Sequence, residues 1–171
     1  MRRLMLLRHA KSSWSDADLH DAARPLNARG RLAATLMGAY LREAGMAPDL
    51  ALVSTAQRAV ETWDGVEREL AARPARASSP LYMAAPDAML DVLRGAPDDA
   101  RAVVMVGHEP GISAFLHRMT GAEIAPGCAR AFERFPTASL AELQLDDLAH
   151  WRDAEFGAGR FASFVSPKDL V

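Results

Sequence analysis

Three short stretches of unbroken apolar residues punctuate the chain: Leu4 to Leu7, Leu50 to Val53, and Ala102 to Val106. Runs of this length without alternation are what a strand buried on both faces requires. Each ends in residues of another character, namely Arg8-His9, Ser54-Thr55 and Gly107-His108. Between the runs the period changes to that of a helix. After Asn27, a good N-cap, Leu32, Leu36, Tyr40 and Ala33, Met37, Leu41 form two rows at every fourth position, until Gly45 stops them. Val60, Trp63, Val66 and Leu70 recur at spacings of three and four, which places Arg58 in the first turn of a second helix. Ile112, Phe115, Leu116 and Met119 follow Pro110-Gly111 in the same manner and are closed by Gly121. Later, Ala141, Leu143 and Leu145 alternate with polar residues, and Phe161 to Val165 is a further strand, so the two predict a hairpin-like pair.

Alternating strands and helices imply an α/β fold with a largely parallel sheet and helices on both faces. In such sheets ligands bind at the carboxyl ends of the strands, a rule that puts His9 and His108 on one edge. The chain has 171 residues, half of them apolar, with no repeat and no Pro, Gly or Ser tract to divide it. One domain spanning 1–171 is therefore expected.

Charge narrows the function classes. Twenty basic and 22 acidic residues give a net charge of -2, which offers nothing to draw the molecule to nucleic acid or to an anionic membrane. Any anion must be held by local charge. Cys128 is the sole cysteine, so no internal disulfide can form and a reducing compartment is expected. Leu4 to Leu7 is too short for a signal-peptide core or a membrane span, and the expected location is cytoplasmic.

Arg8-His9, taken alone, reads as a surface pair, because two-residue motifs recur by chance. Its setting changes that reading. Arg58 lies at a helix start, where free backbone N–H groups and the helix dipole favour an anion and a guanidinium adds a bidentate fork; the competing reading is a solvated arginine paired with Glu61 or Asp64. Val106-Gly107-His108-Glu109-Pro110-Gly111 places a second histidine after a buried strand and before a helix. A neutral imidazole facing phosphorus, flanked by Arg8, Arg58 and a protonated His108, is what phosphoryl transfer through histidine needs, without metal or cofactor. Ser12 and Ser13, on the loop after His9, and Arg24, at the mouth, are expected to bind substrate. His20, His117 and His150 have no motif around them, and Trp14, Trp63 and Trp151 read as core or pocket walls.

Leu6-Leu7-Arg8-His9-Ala10, Arg24-Pro25-Leu26-Asn27-Ala28-Arg29-Gly30, Ser54 to Thr62, Val106 to Gly111 and Ser166-Pro167-Lys168-Asp169-Leu170 together resemble the ordered motifs of the histidine phosphatase superfamily, specifically its short SixA-type phosphohistidine phosphatases. That resemblance implies a phosphoglycerate mutase-like α/β/α sandwich, a phosphohistidine intermediate on His9, and a pocket of Arg8, Arg58 and His108. It implies a phosphorylated protein or a small phosphorylated metabolite as partner, and no metal. Two departures stand out. Ala10 replaces the usual glycine, which fits unless the backbone there requires positive φ. Pro80-Leu81-Tyr82-Met83-Ala84 lacks the glutamate that larger members use as general acid. Expelling an alkoxide benefits strongly from a proton donor, whereas phosphohistidine expels an imidazole that can be protonated beforehand. The expected substrate is thus phosphohistidine in a protein. Asp18, Asp21, Asp87 and Glu109 are the remaining carboxyl groups that merit attention as donors.

The alternatives are a phosphatase of small phosphomonoesters on the same site, a phosphate-binding module without turnover, a metal hydrolase, and a phosphoglycerate mutase. No His-Glu-x-x-His or Cys-rich pattern supports the metal hydrolase, and the chain is short for the mutase. Specificity is expected from the loops Asp16 to Arg24 and Ala122 to Pro136; oligomeric state is not legible.

Overall fold

The computed structural model describes residues 1–71, 74–121 and 129–171; Cys128 and the first part of the Ala122 to Pro136 loop lie outside them. The described residues form six strands: β1 (Arg2–Arg8), β2 (Leu50–Ser54), β3 (Ala75–Ser78), β4 (Ala102–Gly107), β5 (Leu140–Leu145) and β6 (Arg160–Val165). One sheet holds them in the order β3-β2-β4-β1-β5-β6. β1, β2, β3 and β4 run parallel, while β5 pairs antiparallel with β1 and β6 antiparallel with β5. The helices are α1 (Ala28–Glu43), α2 (Gln57–Glu67), α3 (Pro86–Arg94), α4 (Gly111–Met119) and the short α5 (Ala129–Glu133).

The three layers follow from the two-residue period of the central strand. Leu4 and Leu6 of β1 join Met105, Leu90, Leu93, Phe115 and Leu116 in one apolar cluster, on the face covered by α3 and α4. Met5 and Leu7 join Met37, Leu41, Trp63 and Val66 in the other, on the face covered by α1 and α2. The result is a three-layer α/β/α sandwich with a mostly parallel sheet, of the phosphoglycerate mutase-like kind.

One helical and one strand expectation are refined. Asn27 caps α1 as read, its side chain accepting from Gly30 N at 2.8 Å. The buried stripe of α1, however, is Gly30, Ala34, Met37, Gly38 and Leu41, and Leu32 is exposed. Small residues replace bulky ones there because α1 and α2 pack closely: a Cβ on Gly38 would meet Val66 O at 2.6 Å. A Cβ on Gly30 would meet Lys11 O at 2.1 Å, so α1 begins directly against the loop that follows His9. In β5 the alternation does not send Glu142 to solvent. Glu142 is 7% exposed, and it accepts from Ser163 Oγ at 3.1 Å and pairs with Arg3 Nε at 2.8 Å.

Candidate active site

The register of the sheet brings the site together. Arg8 at the end of β1 lies opposite Gly107 at the end of β4, and His9 N donates to Gly107 O at 3.0 Å. His9 and His108 therefore emerge side by side, with ring centroids 5.1 Å apart. The chain that enters β5 closes the other side: Ala138 N donates to Arg8 O and His9 O, both at 3.1 Å, and Arg8 Nη1 donates to Phe135 O at 2.7 Å. Helix α2 delivers Arg58 from its first turn, and its Thr62 joins the two halves, accepting from Ala10 N at 2.9 Å and donating to Arg58 O at 2.6 Å. Ala10 is fully buried and is not among the residues of positive φ, so alanine fits there without strain.

Hydrogen bonds decide the tautomers. His9 Nδ1 lies 2.7 Å from Ala10 O; a carbonyl only accepts, so Nδ1 carries the proton and Nε2 keeps its lone pair. Arg58 Nη2 donates to His108 Nδ1 at 3.3 Å, so the proton of that ring sits on Nε2, which donates to Ser54 Oγ at 2.7 Å. Burial lowers the pKa of His9 to about 4, with Arg58 and Arg8 adding to the effect against the Ala10 carbonyl. Burial likewise lowers His108 to about 3, with His9 and Arg58 contributing. Both rings are neutral at ordinary pH. The protonated His108 expected from sequence is thus not the state of the ligand-free site, because two cations and a second ring face it in a desolvated pocket.

The arginines are built to receive an anion. Arg8 Nε and Arg58 Nε are buried and have no acceptor among the described residues. Buried N–H groups are almost always paired, so unpaired donors on two adjacent guanidinium groups mark a seat for oxygen atoms. The cavity in front of them measures about 400 Å³ and includes Arg8, His9, Arg58 and His108 in its lining. The four residues singled out for chemistry therefore converge on one space.

The remaining sequence candidates divide. Ser12 and Arg24 line the same cavity. Arg24 is fully engaged, donating from Nη1 to Ser12 Oγ at 2.7 Å and from Nε and Nη2 to Asp21 Oδ1 at 3.2 Å, with its guanidinium 3.5 Å from the Trp14 ring centroid. Ser13 is not part of the lining; its Oγ pairs with Ser15 Oγ at 2.8 Å on the exposed side. Among the carboxyl candidates, Asp21 and Glu109 reach the cavity, whereas Asp87 pairs with Arg118 at 3.0 Å. His150 pairs with Asp98, and His117 packs on Phe132, outside the site.

Sequence reasoning missed the anchors of the site. Ser54 was visible only as the polar end of a buried strand. Thr62 was visible only as the residue one turn beyond Arg58. Tyr82, whose hydroxyl donates to Asp21 Oδ2 at 2.6 Å, and Met83, a non-glycine residue at φ 47° with its Sδ 3.8 Å from Arg58 Nη2, left no pattern at all.

Comparison with known proteins agrees with this arrangement. Residues 4–79 match the model of the histidine phosphatase superfamily, branch 1. A candidate phosphohistidine phosphatase SixA from Nakamurella multipartitia superposes with a TM-score of 0.82 at 29% identity, covering 97% of this chain and 96% of that one. The corresponding SixA candidate from Agrobacterium tumefaciens gives 0.81 at 28%, covering 97% and 98%. The chain belongs to the histidine phosphatase superfamily, in its SixA-type branch. Rv1276c of Mycobacterium tuberculosis, an uncharacterised protein, is 36% identical over 167 residues, 95% of this chain and all of that one. Superfamily membership together with the SixA neighbours supports phosphatase activity. Among the described residues no cluster of His, Cys, Asp and Glu is arranged to hold a metal ion, and no helix is long and apolar enough to cross a membrane.

Proposed function

We propose that this protein hydrolyses phosphohistidine in a protein substrate through a covalent intermediate on His9. The observation that carries the reading is the pairing of His9 Nδ1 with the Ala10 carbonyl, which leaves Nε2 as a lone-pair nucleophile beside two unpaired guanidinium donors. In the first step His9 Nε2 attacks phosphorus in line and the P–N bond to the substrate imidazole breaks. Arg8, Arg58 and His108 hold the phosphoryl oxygens. In the second step water attacks phosphorus, the bond to Nε2 breaks, and inorganic phosphate departs with His9 restored. Ser12 and Arg24, which line the same cavity, are the proposed substrate-binding residues, Arg24 also holding Ser12 and Asp21 in place.

Two carboxyl groups line the cavity, Asp21 and Glu109. Asp21 is held ionised, its pKa lowered to about 2 by the Tyr82 hydroxyl and, against burial, by Arg58. Glu109 is turned to the start of α4, where it accepts from Ser113 N and Ser113 Oγ, both at 2.8 Å. Asp21, held as the carboxylate, has no proton to give. An imidazole that arrives already protonated needs no donor from the enzyme, whereas an alkoxide does.

The test compares turnover of a phosphohistidine peptide with that of a sugar phosphate, in parent and His9→Ala, with and without chelator. Faster turnover of the peptide, lost in His9→Ala and unaffected by chelator, supports the reading. Equal turnover of both substrates, or full activity in His9→Ala, overturns it.

A further inference from the structure

A carboxylate beside a phosphoryl seat repels the anion meant to enter, so Asp21 requires an explanation. Its side chain is 47% exposed, whereas His9 and Arg58 in the same cavity are 8% and 2% exposed, which puts the carboxylate at the rim. It is fixed from three parts of the chain. Oδ2 accepts from Arg58 Nη2 at 2.9 Å and from the Tyr82 hydroxyl at 2.6 Å, and Oδ1 accepts from Arg24 Nε and Nη2 at 3.2 Å. Arg24 is in turn anchored on Ser12 Oγ and stacked on Trp14. These contacts hold the carboxylate at the rim, and they occupy Nε and Nη1 of Arg24.

Nor does Asp21 fill the phosphoryl seat. It takes the end-on edge of the Arg58 guanidinium, with Nη1 donating to Asp21 O at 2.7 Å and Nη2 to Oδ2. On the side-on edge Nη2 donates to His108 Nδ1 at 3.3 Å, and the buried Nε, unpaired among the described residues, is left to meet an oxygen. A phosphoryl group on that edge leaves the rest of its molecule to pass the rim, within the field of Asp21.

We infer that Asp21 is a specificity-determining residue whose fixed negative charge at the rim rejects leaving groups bearing a carboxylate or a second phosphate and favours those bearing an N–H cation, such as imidazolium. The inference rests on the reading of Arg8, His9, Arg58 and His108 as the phosphoryl seat. Besides Arg8 and Arg58, the charged residues lining the cavity are Lys11 and Arg24 against Asp21 and Glu109, which balance. Removing Asp21 makes the rim cationic and opens it to anionic groups. A unit charge several ångströms away in a half-solvated site changes affinity severalfold, less at high salt.

Asp21→Asn keeps the shape and an oxygen acceptor for Arg58 while removing the charge. Calorimetry at low and high salt would measure binding of two non-hydrolysable phosphonates of similar length, 2-aminoethylphosphonate and 3-phosphonopropionate. The parent should prefer the ammonium compound by about fivefold or more, and salt should narrow that preference. Asp21→Asn should reduce the preference by about fivefold, chiefly by gaining affinity for the carboxylated compound, while Asp21→Glu should retain it. A purely structural role would weaken both ligands alike and leave their ratio unchanged, and that result overturns the inference. If both ligands bind the parent but His9→Ala hydrolyses substrate as well as the parent does, the nucleophile reading fails instead. If neither phosphonate nor tungstate binds, both fail.

Discussion

Strand β1 carries an arginine at each end, Arg2 buried and Arg8 half-buried, and the two are treated in opposite ways. Arg2 is 1% exposed and all its donors are matched: Nε to Ala149 O at 3.1 Å, Nη1 to Asp98 O and Ala100 O at 3.2 and 3.0 Å, and Nη2 to Asp98 Oδ1 at 3.3 Å and to Ala149 O. Arg8, six residues along, makes one hydrogen bond, to Phe135 O, and its Nε is buried without an acceptor among the described residues. A guanidinium closed by carbonyls is a fastener; one left open in a cavity beside an imidazole is a receptor. Burial alone does not separate structure from function, because Arg58 is as buried as Arg2 and yet keeps an Nε unpaired among the described residues. The balance of donors and acceptors does.

That contrast can be tested in descending order of effect. His9→Ala should lower turnover at the open end by about 1,000-fold or more with the melting temperature nearly unchanged, as read by steady-state kinetics beside thermal denaturation. Arg8→Ala should cost about 100-fold in kcat/KM, since one donor to the developing charge is worth that much. Arg2→Ala should do the reverse, costing about 3 kcal/mol of stability through orphaned carbonyls and a cavity while the folded fraction keeps its turnover. Denaturant titration alongside activity per folded molecule would expose an error in either assignment. Ser54→Ala should cost about tenfold in kcat/KM by releasing His108 Nε2.

The smallest expected effect concerns pH. With His9 titrating near 4 and His108 near 3, both rings are neutral in the folded protein. Unfolded histidines take up protons below about 6.5, so stability should fall as pH drops from there toward 4, because the unfolded chain binds more protons than the native one. A tetrahedral oxyanion raises both pKa values, so its binding should take up protons and tighten as pH falls through the same window. Calorimetry in buffers of different ionisation enthalpy measures that uptake, and its absence would mean that the anion sits away from the imidazoles.

The inner strands were legible in the sequence because a strand buried on both faces leaves a run such as Leu4 to Leu7 that little else produces. The four convergent residues were legible because each follows such a run or opens a helix. β3 left no trace: Ala75–Ser78 is an exposed edge strand held by pairing with β2 rather than by burial. α3 escaped because its apolar face is only Met89, Leu90 and Leu93. Asp21, in the short 3-10 turn Asp21–Ala23, and Tyr82, in the segment after β3, become neighbours only once the sheet has formed, so no local spacing announces their pairing.

The bond between His9 Nδ1 and the Ala10 carbonyl bears on the lifetime of the covalent intermediate. An amide oxygen has no use for a second proton, so the ring has nowhere to shed its own when Nε2 acquires a substituent. On the proposed mechanism the adduct is therefore a cation throughout, and its departure as a neutral heterocycle is downhill. The tautomer lock that creates the nucleophile also ensures that what it captures is quickly let go.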